Sequence, residues 1–379
     1  MKETRANLST NGIVPAPVQP LAIRSAAIVA RGLRDLARDS NWLVKKAFSW
    51  HSPYLAISPA GQLCAVSPAI RQGSECIALH DIELGVPTLA LAIPGEPSAL
   101  TPGLPGAFEW SPTGRYLVAA WGGWLPELHV FDLHGKIFLG SFGDYSNFPS
   151  SLAWSGTGKY FAAASSGGAD ALLRLWVTQG PAAPMPFAAD PSNELGSLKE
   201  TRDARVPSEE ASDGGVFSGY GRTAFSPDER TLASVVEIEG EWADDSIALI
   251  EVPSLRRQKS FQIQGHVTDL AWTFDSSQLV YCSAGQAYRL EAERSETRSL
   301  PFGAELCACH PHLPLCLYFS SWLRNSAKGR LFLVDLNSLL VFDEYAAEGV
   351  VDLRWSLDGS KAFAVTADGL AYVYEPPLL

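Results

Sequence analysis

The chain has 379 residues, of which 46% are apolar and 18% charged, and its formal net charge is −12. That composition can bury a sizeable core and excludes global disorder. The acidic balance excludes a general nucleic-acid binder, which needs an excess of Lys and Arg to neutralise phosphates.

No apolar run approaches the ~20 residues of a membrane-crossing helix, so no transmembrane segment is expected. The N-terminus lacks a compact apolar stretch followed by a small-residue cleavage site, so Sec export is not expected either. Of the six cysteines, four lie between Cys282 and Cys316, unlike the spacing of a disulfide-stapled secreted domain. Reduced thiols and a cytoplasmic location are the simpler expectation.

Residues 1–20 carry three prolines among polar residues and read as a flexible tail. In 22–40, Ala26, Val29, Ala30, Leu33, Leu36 and Ala37 recur at helical spacing, while Arg24, Arg31 and Arg38 sit seven apart on another face. This predicts an amphipathic basic helix. It could dock on the rim of the following domain, contact a partner or membrane, or target an organelle. Asp35 and Asp39 weigh against organelle targeting.

From about residue 42 one phrase recurs: an apolar strand, a Ser-Pro-x-Gly-like turn and a second apolar strand. It reads LAISPAGQLCAVS from Leu55, FEWSPTGRYLVAAW from Phe108, LAWSGTGKYFAAAS from Leu152 and TAFSPDERTLASVV from Thr223. Weaker copies start at Leu270, Leu306 and Leu353, making seven. Each copy is followed by a third alternating strand, such as ELHVFDL from Glu127 or RLFLVDL from Arg330. Period-2 alternation with β-branched and aromatic residues reads as half-buried strand. More polar fourth strands fit at KIFLGSF from Lys136, RRQKSFQI from Arg256 and LLVFDEY from Leu339.

Four strands in each of seven units predicts an all-β, seven-bladed β-propeller over residues 42–379. Leu43–Trp50 precedes the first copy and nothing strand-like follows Leu370–Glu375. The N-terminal strand is therefore expected to complete the last blade as its outer strand. The gap between the third and fourth copies is about 70 residues against about 45 elsewhere. The surplus, residues 179–220, holds five prolines and seven acidic residues against three basic ones. It reads as a disordered insertion that also contains the outer strand of blade three.

The repeat resembles the WD40 superfamily in degenerate form. The Ser-Pro-x-Gly turns, the endings Val130-Phe131-Asp132 and Leu333-Val334-Asp335, and the single Gly265-His266 pair carry the resemblance; the Trp-Asp dipeptide is absent. The resemblance implies the fold, and a scaffold that binds proteins rather than an enzyme.

Strand alternation puts the a–b and c–d turns at one end of the ring and the b–c and d–a loops at the other. The second end is expected to gather Trp121, Trp124, Trp242 and Trp322 with His51, Tyr54, Tyr145, Phe148 and Tyr220. Asp244 and Asp245, read as exposed loop acids, and Arg324 would add charge. Trp and Tyr are common partner anchors, so Trp121, Trp124, Trp242, Asp244, Asp245, Trp322, Arg324, Tyr145 and Phe148 form the candidate partner site. The alternative is that these rings plug gaps between blades.

Trp110, Trp154, Trp272 and Trp355 share one register at the end of strand a and are expected in the core. The cluster Cys307, Cys309, His310, His312 and Cys316 has metal-ligand residue types, but its members replace ordinary repeat positions, so no metal is expected. No nucleophile elbow, phosphate loop or dinucleotide fingerprint occurs, so no cofactor and no catalytic residue are proposed. The expected function is a non-catalytic interaction scaffold. The alternative is a small-molecule-binding or hydrolytic propeller, which requires ionisable side chains from strand a to converge on the central channel.

Overall fold

The computed structural model describes residues 42–46, 54–71, 74–91, 105–121, 127–142, 149–165, 172–178, 194–199, 216–239, 244–321, 329–366 and 370–376. These form seven four-stranded antiparallel sheets, each running a-b-c-d outwards from the axis. The described residues are strands and turns, and none of their segments is a helix long and apolar enough to cross a membrane. The expected N-terminal helix, with Arg24, Arg31 and Arg38, lies outside the described residues.

The innermost strands are Tyr54–Ile57, Pro105–Trp110, Pro149–Trp154, Val216–Phe225, Val267–Trp272, Leu306–Cys309 and Val350–Trp355. Blade seven is closed by the other end of the chain. Trp42–Lys46 pairs with Leu370–Tyr374, with Trp42 opposite Tyr374 and Lys46 opposite Leu370. Two strands fall inside 179–220: Glu194–Lys199, the outer strand of blade three, and the start of Val216–Phe225. Tyr220 therefore belongs to strand a of blade four rather than to a connecting loop.

Alternation gives each blade two apolar faces, and each face packs on a neighbouring blade. The result is one apolar cluster per seam. Phe108, Trp110 and Phe131 of blade two meet Ile77 and Leu79 of blade one. Leu317 and Leu333 of blade six meet Trp355 and Ala364 of blade seven. At the closing seam Ile57 and Val66 meet Phe363 and Val373.

The recurring turn has a physical cause. Its Ser carbonyl accepts the N–H three residues on, and its hydroxyl accepts the N–H five residues on, as in Gly114 N–H to Ser111 and Tyr116 N–H to Ser111 Oγ at 3.0 Å. The fourth residue then takes a left-handed conformation (Gly61 φ 68°, Gly114 70°, Gly158 75°, Gly359 70°), which favours glycine. At Gly359 a side chain would also meet the His310 ring at 2.3 Å. The Asp that closes strand c caps the following turn. Asp132 Oδ1 accepts the His134 and Gly135 N–H groups, and Arg115 donates to Oδ2 at 2.9 Å. The signature residues thus serve turns rather than ligands.

Candidate functional site

Trp124, Trp242, Trp322, Arg324, Tyr145 and Phe148 lie outside the described residues. Trp121 ends its strand, with backbone opposite Pro105 and Glu127. Asp244 and Asp245 are described, and they correct the expectation of exposed acids. Asp245 is 1% exposed. Its Oδ2 accepts the Val267 N–H at 2.8 Å, and its Oδ1 lies 3.2 Å from His266 Nδ1. Asp244 Oδ1 accepts the Gly265 N–H at 2.8 Å. Both carboxylates tie the b–c loop of blade four to the link into blade five. Their charge is spent on backbone donors, which is why one of them is buried.

The four register tryptophans are buried, as expected. Three make the same contact with the preceding blade: Trp110 Nε1 donates to Ala56 O, Trp272 Nε1 to Ala224 O and Trp355 Nε1 to Ala308 O, all at 3.0–3.1 Å. Blade six has Cys309 there, and its thiol points at the matching Ala271 carbonyl at 3.9 Å.

The Cys and His residues of that blade behave as repeat substitutes. His310 Nδ1 accepts the His312 and Leu313 N–H groups, so Nε2 carries the proton and donates to Gly359 O at 3.1 Å. Burial lowers the His310 pKa to about 4. Cys309 and Cys316 are directly cross-strand, with sulfurs 3.7 Å apart. The contact with Cys316, reinforced by burial, raises the Cys309 pKa and keeps it a thiol. Among the described residues no group of three or more His, Cys, Asp or Glu is arranged to hold a metal.

The central channel carries the ionisable groups. Counting back from the last residue of strand a, the next-to-last position is Ala56, Ala153, Ala224, Ala271 or Ala308 in five blades. Blades two and seven have Glu109 and Arg354. These two meet past blade one in a bidentate pair, with Arg354 nitrogens 3.1 and 3.2 Å from the two Glu109 oxygens. Burial alone would lower the Arg354 pKa, but the attraction of Glu109 and Asp352 outweighs it and holds the guanidinium above its usual range.

Two residues further back stand Ser151, Arg222, Asp269 and Asp352. This position faces the inner edge of the next blade, whose strand a has unpaired N–H groups. Ser151 Oγ accepts the Thr223 N–H at 3.0 Å, and Asp269 Oδ2 accepts the Cys307 N–H at 3.0 Å. Asp269 also accepts the Leu270 N–H and lies 3.9 Å from Arg222 Nε. Burial nonetheless raises its pKa.

Asp352 differs. Its Oδ2 is sealed from solvent with no hydrogen-bond partner among the described residues. Burial pushes its pKa up to about 6, with Arg354 and Arg222 opposing and Asp269 and Glu109 reinforcing. Glu109, Arg222, Asp269, Asp352 and Arg354 all line one cavity of about 300 Å³. Sequence reading singled out none of the five. Aligning the seven inner strands would have exposed Glu109 and Arg354 as charges in a column of alanines.

Fold, turn chemistry and blade stitching define the class: a seven-bladed WD40-like β-propeller. Residues 137–177, from the outer strand of blade two through strand c of blade three, match the family described as WD domain, G-beta repeat. No curated protein matches the sequence. A chain in the crystal structure of the mitotic checkpoint complex is similar, with TM-score 0.62 and 14% identity over 88% of this chain and 93% of that one. Hydrazine synthase of Kuenenia stuttgartiensis is also similar, with TM-score 0.60 and 15% identity over 86% and 96%. At such identities the likeness speaks for the fold.

Proposed function

We propose that this propeller is a non-catalytic scaffold that binds a protein or peptide partner in the cytoplasm. The b–c and d–a end presents Trp121, Trp124, Trp242 and Trp322, with Tyr145, Phe148 and Arg324 around them. The segment with Arg24, Arg31 and Arg38 is a second contact. The supporting observation is the double carboxylate anchor at Asp244 and Asp245, which fixes the base of the segment carrying Trp242 against blade five. An anchored base lowers the ordering cost of binding. One similar fold occurs in a checkpoint complex, in keeping with such a role.

The test is affinity capture with the full chain and with Trp124→Ala, Trp242→Ala and Trp322→Ala combined. Captured partners should be lost while the circular dichroism spectrum stays unchanged. Capture indifferent to all three substitutions overturns the assignment of this end.

A second reading, a propeller that admits a small molecule to its channel, is favoured by one observation. The channel wall is ionisable rather than apolar, with five charged side chains around a single cavity.

A further inference from the structure

The charges of the channel divide into groups with hydrogen-bond partners in the protein and groups without. Glu109 and Arg354 neutralise each other through two hydrogen bonds. Asp269 is held by two backbone N–H groups. Two groups remain. Asp352 Oδ2 is buried without a hydrogen-bond partner. The Arg222 guanidinium, half exposed, makes no hydrogen bond among the described residues, its nearest carboxylate oxygen being 3.9 Å away on Asp269. One is an anion on blade seven, the other a cation on blade four, and both line the same cavity.

Oδ2 is sealed but Oδ1 is not, so a molecule in the cavity can reach the carboxylate there. A carboxylate so far removed from water without a donor is unfavourable, and the two guanidinium groups nearby leave it unbonded. A bound cation would satisfy Asp352 but leave Arg222 facing it with like charge. A bound anion would satisfy Arg222 but meet Asp352, Asp269 and Glu109. A molecule with an ammonium at one end and a carboxylate at the other satisfies both and adds no net charge to the cavity. The volume, about 300 Å³, suits a ligand of a few heavy atoms with its ordered water.

We propose that the channel is a binding site for a small zwitterion of the amino-acid class, its ammonium donating to Asp352 Oδ1 and its carboxylate accepting from Arg222. The proposal rests on the channel reading above and is independent of the partner-binding end. Charge-assisted hydrogen bonds of this kind fix orientation as well as affinity. Partial shielding of Asp352 from water by the walls of the ring gives its bond to the ammonium more weight than a surface contact would have.

The test is isothermal titration calorimetry on the full chain near neutral pH. The zwitterionic probes are glycine, β-alanine and γ-aminobutyrate, whose rising lengths report the gap between the two groups. Ethylammonium and propionate are the single-charge probes. At least one zwitterion should bind saturably, and both single-charge probes should bind about tenfold more weakly or worse. Asp352→Asn and Arg222→Gln should each weaken the zwitterion about tenfold or more, whereas Arg256→Gln on the outer rim should not. Thermal melting separates lost binding from lost folding, since Asp352→Asn removes an unfavourable buried charge and should melt no lower than wild type. Ethylammonium or propionate binding as well as any zwitterion overturns the zwitterion assignment and leaves a channel site. Binding by none of the five probes overturns the assignment and the channel reading beneath it.

Discussion

Asp269 and Asp352 occupy one register of the channel wall, two blades apart, yet they live in different chemistry. Asp269 has the Cys307 and Leu270 N–H groups as donors and Arg222 alongside. Asp352 has two arginines in its electrostatic surroundings and no hydrogen bond to its buried oxygen. The lesson is that a repeat fixes where a side chain stands but not whether it is satisfied. Satisfaction depends on whether the carboxylate meets the inner edge of the next blade and on what neighbouring arginines are already bound to. Arg354 stands two residues from Asp352 on the same strand, but both of its bonded nitrogens are turned to Glu109.

Removing the arginine that holds this arrangement together should have the largest effect. Arg354→Met leaves the largely shielded Glu109 without its partner and takes from Asp352 its strongest compensating charge. We expect a loss of about 3 kcal/mol or more in urea unfolding. A loss under about 1 kcal/mol would show that the pair is solvated and that the comparison overstates burial.

Asp352→Asn should act in the opposite direction. The folded-state pKa of about 6 lies above the ordinary aspartate value, so the folded protein holds this proton more tightly than the unfolded chain. Wild-type stability from this group therefore falls as pH rises from about 4 to about 6, then levels off. The asparagine variant should lack that decline and be more stable by about 3 kcal/mol above pH 6, measured as the difference between two stability–pH curves. Parallel curves would mean that Asp352 has found a donor in solution.

Asp269→Ala sharpens the same contrast from the satisfied side. It orphans the Cys307 N–H, but it also removes a carboxylate that burial disfavours, so the net loss should be modest, about 1–2 kcal/mol. A gain in stability would place Asp269 in the class of Asp352. The smallest effect is expected at Ser151→Ala, the neutral member of this register. Losing the acceptor for the Thr223 N–H should lower stability by about 1 kcal/mol without pH dependence.

Much of the fold was legible because the signals were local. Ser and Gly three residues apart specify the a–b turn, and the Asp ending strand c caps the next one. Period-2 runs such as ELHVFDL mark the strands. The outer strand Glu296–Ser299 was not legible. All four of its side chains are exposed, so it lacks the alternation that betrays a half-buried strand. The acids at Asp244 and Asp245 looked like ordinary loop charges. Their anchoring, and the burial of Asp245, depend on Gly265 and Val267, some twenty residues later, presenting N–H groups at the right place.

The channel cluster was hidden for a similar reason. Arg354 and Glu109 are 245 residues apart, and only the closed ring makes them neighbours. Of the proposed partner site, Asp245 is the member whose burial rules out direct contact with a partner in this conformation.

The pairing of Trp42–Lys46 with Leu370–Tyr374 also sets a schedule for synthesis. Trp42–Lys46 must wait for Leu370–Tyr374, more than 300 residues later. At translation rates of about 5–20 residues per second, the intervening stretch takes roughly 15–65 s to emerge. Throughout that interval both Trp42–Lys46 and the blade-one face of the closing seam lack their final partners. Blades can stack on the ribosome one after another, but the circle can close only once Leu370–Tyr374 has emerged, so closure follows the making of all seven blades and is open to the attention of chaperones.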